Sequence, residues 1–241
     1  MTASVVLPTY NEREVIVGVV AEILDAVGDV EVLVVDDDSP DRTWQVVESA
    51  FADDHRARAL RRIGRRGLPS AIAEGIQATR GEVVVWLDAD GSMPADVIPR
   101  LVAATADADV AVASRYAAGG TDARDSAARI LASRAINTFG TLWLGGPVRD
   151  WTSGFVAARR TALQRVPIRA DHVYGDYCID FLHRACRRGL RVVEVPYACV
   201  ERRAGTTKTS PSLRRFAALG LRYVHTIRRL RRESRTEEDR S

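Results

Sequence analysis

The chain has 241 residues, 46% of them hydrophobic, enough for one large α/β domain with a proper core and too few for more than two small ones. A formal net charge of +3 is too small to imply an oppositely charged polymer, so no nucleic-acid partner is expected, and the basic residues are 34 arginines and one lysine, Lys208. Three cysteines without C-x-x-C spacing and four scattered histidines argue against a disulfide framework, a structural zinc site and a histidine-based metal site.

SVVL (4–7) reads as a buried strand ended by Pro8, and 12–27 carries apolar residues at helical spacing. EVLVVD (31–36) is a second strand, and Asp41 to Phe51 a helix with Asp41 as candidate N-cap. A short strand at 57–60, a helix over 69–79, the strand EVVVWL (82–87), a helix over 94–104 and the strand DVAVAS (109–114) follow. The spacing predicts a long amphipathic helix over 122–144, an extended TSGFVAA (152–158), a helix over 174–188, and RVVEVPYACV (191–200) as strands broken at Pro196. Strands that alternate with helices and are apolar nearly throughout imply a mostly parallel central sheet with helices on both faces. Ligands of such sheets sit at the carboxyl ends of strands. Those ends carry Pro8-Thr9-Tyr10-Asn11-Glu12, Asp36-Asp37-Asp38, Asp88-Ala89-Asp90 and Ser114-Arg115-Tyr116, so the polar clusters share one edge.

Neither G-x-G-x-x-G nor G-x-x-x-x-G-K-[ST] occurs, which removes the dinucleotide fingerprint and the P-loop. Asp88 and Asp90 close an apolar run, where two partly desolvated carboxylates repel unless a cation lies between them. Mg2+ or Mn2+ held there would bridge two phosphates and neutralise a departing diphosphate. Arg129 and Ser133, four apart, share a face of the long helix.

PTYNE, VVDDDSPD, LDAD, ASRY, RDWTSGF and ERRAGTTK appear in that order between residues 4 and 210. Together they resemble the family 2 glycosyltransferases of GT-A fold, and within them the dolichol- or polyprenol-phosphate mannose synthases. The resemblance implies that Pro8, Tyr10, Glu12, Val35 and Asp37 hold the base and ribose of a nucleotide sugar, GDP-mannose first, with the Ala89 backbone beside the donor. It implies metal binding by Asp88 and Asp90, phosphate binding by Arg115, Arg202 and Lys208, and an acceptor phosphate at Arg115, Arg129 and Ser133. Asp90, Arg115 and Arg202 are then the expected catalytic residues, and the reaction an inverting displacement onto a polyprenyl or dolichyl phosphate. The family's D-A-D-L-Q-H-P is here Asp88-Ala89-Asp90-Gly91-Ser92-Met93-Pro94, so Ser92 stands where a third metal ligand, often Gln, is found. The family's G-Y-x-F-Q-x-E reads Tyr174-Gly175-Asp176-Tyr177-Cys178-Ile179-Asp180. A non-catalytic nucleotide-sugar binding module is a reading that the intact D-A-D, Arg115, Arg202 and Lys208 argue against, and two enzymatic alternatives stay open. One is another nucleotide sugar, such as UDP-glucose. The other is a soluble acceptor whose hydroxyl needs a base, for which Asp176 and Asp180 are the candidates.

No run reaches the roughly 18 apolar residues of a membrane span, and Pro8 and Asn11 interrupt the first apolar run. A cytoplasmic protein is expected, peripheral at the membrane's cytoplasmic face, since its acceptor would be a lipid. The expected organisation is a catalytic domain over 1–210, a basic amphipathic helix over 211–232 able to lie on a membrane surface, and a disordered tail over 233–241.

Overall fold

The computed structural model describes residues 1–172, 174–203 and 213–238, without the side chains of 213–217 and 237–238. Strands β1 (Ala3–Thr9), β2 (Val30–Asp36), β3 (Ala57–Arg61), β4 (Val83–Trp86) and β5 (Val110–Ser114) alternate with helices α1 (Ile16–Val27), α2 (Thr43–Ala50), α3 (Leu68–Ala78) and α4 (Val97–Ala104). The two-residue strand β6 (Thr121–Asp122) precedes α5 (Ala127–Leu144), β7 (Val156–Arg159), α6 (Arg160–Arg165), α7 (Asp176–Arg187), β8 (Val192–Pro196), β9 (Ala198–Cys199) and α8 (Leu213–Glu238).

Seven strands form one sheet in the order β3-β2-β1-β4-β7-β5-β8, and β6 pairs with β9 beside it. The sheet is parallel except for β7, which enters antiparallel between β4 and β5 with Trp86 opposite Val156. Alternate residues of each strand fill opposite faces. Val6, Leu33, Val35, Val84 and Trp86 join one apolar cluster with residues of α3, α7 and α8, and Val5, Leu7, Val32, Val34 and Val85 join a second with α1 and α4. This two-sided burial is why the strands read as continuous apolar runs.

The expected N-cap Asp41 accepts the Thr43 N–H at 2.9 Å, one residue ahead of the position that precedes α2. The last helix departs from expectation. The helix foreseen over 211–232 runs Leu213–Glu238, so the tail expected over 233–241 is helical as far as 238; residues 239–241 lie outside the described residues. The reason is burial: α8 packs on α5 and α7, placing Ile227 and Leu230 in the core cluster, while Ser234 is buried with its hydroxyl 2.9 Å from His183 Nε2. Among the described residues no helix is long and apolar enough to cross a membrane.

Candidate active site

A cleft of about 460 Å³ opens at the carboxyl ends of β4 and β5, walled by α5, by the 199–202 segment and by Leu219, Gly220 and Tyr223 of α8. Asp88, Asp90, Ser92, Arg115, Arg129, Ser133 and Arg202 all line it. Seven residues singled out from separate motifs thus meet in one space.

The acidic loop is shaped by Gly91, whose φ of +76° disfavours an L side chain and whose missing Cβ makes room for Arg203, 2.7 Å from where that atom would stand. Asp90 accepts the Ser92 N–H at 2.9 Å on one oxygen and Arg202 Nη2 at 2.5 Å on the other. Two backbone bonds at 3.1 Å, Val200 N–H to Ser92 O and Arg203 N–H to Asp90 O, sew the 200–203 strap to this loop, and Arg203 pairs with Glu22 of α1. Burial works against the Arg202 charge, but Asp90 outweighs it and holds the guanidinium above its ordinary range. Among the described residues no three His, Cys, Asp or Glu side chains cluster as a ligand set, so a cation here would have the Asp88–Asp90 pair, with the remaining ligands coming from substrate, hydroxyl or water.

Arg115 is nearly buried, and its Nε and Nη2 make a bidentate pair with Asp150 at 2.8 and 2.7 Å. Its backbone N–H also reaches Asp150, at 3.0 Å, and Nη2 reaches Thr152 Oγ1 at 2.9 Å. Asp150 is fully buried and is steadied by Glu194, which accepts the Asp150 N–H at 2.8 Å. Burial opposes the Arg115 charge and Asp150 more than restores it, so the guanidinium is permanently cationic. Sequence reasoning noted the RDWTSGF stretch but gave Asp150 no part. Its only local sign is an acid flanked by Val148 and Trp151, both fully buried.

On the opposite wall Ser126 caps α5, its hydroxyl accepting the Arg129 N–H at 3.4 Å. Arg129 and Ser133 then face the cleft from successive turns. Arg124, not foreseen, also lines the cleft, gripped by Asp122 at 2.7 and 2.6 Å.

Pro8, Tyr10, Glu12, Val35 and Asp37 gather at the ends of β1 and β2, beside the cleft and not on its wall. Val35 is wholly buried in the cluster that holds Ala71 and Ile72, which leaves only its main chain for a ligand. Asp37 accepts the Gly67 N–H at 2.8 Å and lies 3.2 Å from Arg62 Nε; burial lifts its pKa against the pull of both. The Arg66 guanidinium lies 4.4 Å from the centroid of the Tyr10 ring. Asp36 is structural, its carboxylate taken up by Thr9 and by the Ser39 N–H and hydroxyl. Ala89 is buried in the loop core, and Lys208 lies outside the described residues.

The two base candidates are not on the cleft wall. Asp180 is fully buried between Arg184 at 2.7 Å, Arg169 at 3.2 Å and His172; burial pushes its pKa up, but His172 and Arg184 bring it down to about 2. Asp176 pairs with His172 at 2.9 Å and with Arg222 of α8 at 3.4 Å. Both serve as struts between α7, its preceding loop and α8. The cleft-lining carboxylates among the described residues are Asp88, Asp90 and Glu201, the last accepting the Asp125 N–H at 3.1 Å.

Residues 4–166 match the family model described as Glycosyl transferase family 2. A polyprenol monophosphomannose synthase of Mycolicibacterium smegmatis is 40% identical over 215 residues, spanning 86% of this chain and 81% of that protein. An undecaprenyl-phosphate mannosyltransferase of Micrococcus luteus is 35% identical over 214 residues, 87% of this chain and 88% of its own. In fold the chain is similar to a glucosyl-3-phosphoglycerate synthase of Mycobacterium tuberculosis, crystallised with Mn2+, UDP and phosphoglyceric acid, with TM-score 0.72 and 21% identity over 95% of this chain and 78% of the other.

Proposed function

The chain belongs to glycosyl transferase family 2, and from that premise we propose that it transfers mannose from GDP-mannose to a polyprenyl phosphate, with inversion at the anomeric carbon. The names of the two relatives support the sugar and the lipid phosphate. The observation that carries the reading is the wall of the cleft, where Arg115, Arg124, Arg129 and Arg202 converge beside a carboxylate pair while Asp176 and Asp180 are locked into ion pairs elsewhere.

That distribution suits one kind of acceptor. A phosphate monoester has a second pKa near ~6 and is a nucleophile at neutral pH without help. The task is then to hold two anions close together, the acceptor phosphate and the donor diphosphate, which guanidinium groups do. Arg129 and Ser133 would seat the acceptor phosphate on α5, and Arg115, fixed by Asp150, would lie between the two substrates. Arg202 would move from Asp90 to the donor diphosphate.

Asp88 and Asp90 fit Mg2+ or Mn2+: both supply hard oxygen ligands to the cleft, and Asp90 would exchange its Arg202 partner for the ion. A bound divalent ion would neutralise the diphosphate as it departs. Mn2+ in the similar crystal structure is consistent with this. Ser92 would contribute through its hydroxyl or a bridging water.

A lipid acceptor requires approach to a membrane. Leu131, Leu142 and Trp143 on α5 and Leu221 on α8 are exposed, and α5 packs against α8 at the edge of the cleft. We assign these residues to the headgroup boundary at the cytoplasmic face, with the exposed Arg228 and Arg232 of α8 toward anionic lipid. The test of the whole reading is a screen of radiolabelled GDP- and UDP-sugars with membrane lipid extract and Mg2+, followed by organic extraction. GDP-mannose should be the donor that carries label into the organic phase; label from a UDP-sugar alone would replace the donor assignment.

A further inference from the structure

Tyr116 follows Arg115 but stands behind the cleft wall, half-buried. Its side chain meets the residues assigned above to the acceptor phosphate. The hydroxyl is 2.8 Å from Ser133 Oγ, and the ring lies under the Arg115 guanidinium, 5.2 Å from carbon to centroid. The same hydroxyl is 3.3 Å from Asp122 Oδ2.

A phenol has one hydrogen to give; a serine hydroxyl has one hydrogen and two lone pairs; a carboxylate only accepts. The destination of the Tyr116 hydrogen therefore decides what Ser133 presents to the cleft. If it goes to Asp122, Ser133 can give its own hydrogen to the phenol oxygen and show the cleft lone pairs, which repel an anion. If it goes to Ser133, the serine hydrogen is released to point at an anion. The shorter contact is the one to Ser133. Asp122 is also a weak competitor, because Arg124 already engages it through two bonds at 2.7 and 2.6 Å and Arg115 Nη1 lies 3.9 Å away. Burial holds the Tyr116 pKa above the ordinary tyrosine range, so the hydrogen is present at neutral pH.

The geometry points to Tyr116 as a positioning residue for the acceptor: it donates to Ser133 Oγ and so makes Ser133 a hydrogen-bond donor to the phosphate monoester. The role rests on the reading of Arg129 and Ser133 as the acceptor-phosphate seat. Asp122 and Arg124 serve the same end indirectly, by keeping the competing carboxylate occupied.

The test is a double-mutant cycle with Tyr116→Phe, which keeps the ring under Arg115, and Ser133→Ala, measured with farnesyl phosphate as acceptor. Tyr116→Phe should raise the acceptor KM about fivefold, the loss of one neutral hydrogen bond that orients the Ser133 hydroxyl, while the donor KM and melting temperature stay near wild type. In the Ser133→Ala background the same change should do nothing more, because the tyrosine acts through that hydroxyl. Additive effects, or an acceptor KM untouched by Tyr116→Phe while Ser133→Ala raises it, overturn the role of Tyr116 and leave the seat in place. An acceptor KM untouched by both Ser133→Ala and Arg129→Ala overturns the seat itself, and the inference with it.

Discussion

Replacing Asp150 by Ala should damage both stability and activity, by amounts the geometry sets. The carboxylate is fully buried and receives three N–H groups of Arg115, at 2.7, 2.8 and 3.0 Å. Its removal leaves a nearly buried guanidinium without its anion, a class of change that costs about 3–5 kcal/mol. At about 2–4 °C per kcal/mol for a chain of this size, the melting temperature should fall by roughly 6–20 °C. Asp150→Asn keeps the shape but also leaves the guanidinium without its anion and turns an N–H2 toward an Arg115 donor, so it too should cost about 3–5 kcal/mol. An exposed pair supplies the contrast: Arg61 and Asp38 are in contact at 2.7 Å with both side chains well exposed, so Asp38→Asn, which suits the positive φ of 54° there, should cost no more than about 1 kcal/mol. The assay is urea unfolding followed by circular dichroism, beside transfer activity. Arg115 would lose its fixed aim at the reacting phosphates, and activity should drop about 100-fold in Asp150→Asn even where the protein stays folded. If Asp150→Ala destabilises the protein no more than Asp38→Asn does, burial does not set the strength of the Arg115–Asp150 pair.

Asp88→Ala and Asp90→Ala should each abolish transfer and weaken Mn2+ binding followed by electron paramagnetic resonance; Mn2+ affinity unchanged in both would remove the metal from this loop. Glu201→Gln should retain most transfer activity, because the phosphate acceptor needs no base, whereas a loss of about 100-fold or more would mark Glu201 as a general base and favour a hydroxyl acceptor. His172 is raised from 6.5 to about 9, first by its hydrogen bond to Asp176 and then by Asp180, so its stabilisation is complete below about pH 6.5 and disappears as pH rises through 9. Unfolding free energy should therefore decline over that window in the wild type, and His172→Gln should flatten the decline; an unchanged slope would dissociate it from the histidine. Leu131→Glu and Leu142→Glu should reduce co-sedimentation with anionic liposomes at low salt without unfolding the protein, and binding equal to wild type would place the membrane contact elsewhere.

Much of this site is written in local pattern. Strand periodicity alone puts Asp88 and Asp90 at the carboxyl edge of the sheet, and helix periodicity puts Arg129 and Ser133 on one face of a helix; only the family resemblance joined that face to the acidic edge. What was illegible depends on distant partners. Asp150 matters because Arg115 lies 35 positions away, and no periodicity marks a buried acid in a loop. Asp176 and Asp180 look like free carboxylates in the sequence and are instead saturated by His172, Arg169, Arg184 and Arg222. The run after Arg232 has the composition of a solvated tail, yet Ser234 is buried beside His183, 51 positions away, and the helix continues. The extended stretch before α6 was visible, but its antiparallel insertion between β4 and β5 follows from long-range pairing alone.

The nucleophile proposed for this cleft is a lipid phosphate. The most direct measurement supplies radiolabelled GDP-mannose and Mg2+ with either polyprenyl phosphate or the corresponding polyprenol, then counts the organic phase before and after mild acid. Label is expected with the phosphate alone, released by mild acid as free sugar. Equal labelling of the alcohol, or label that stays with a water-soluble acceptor, would contradict it.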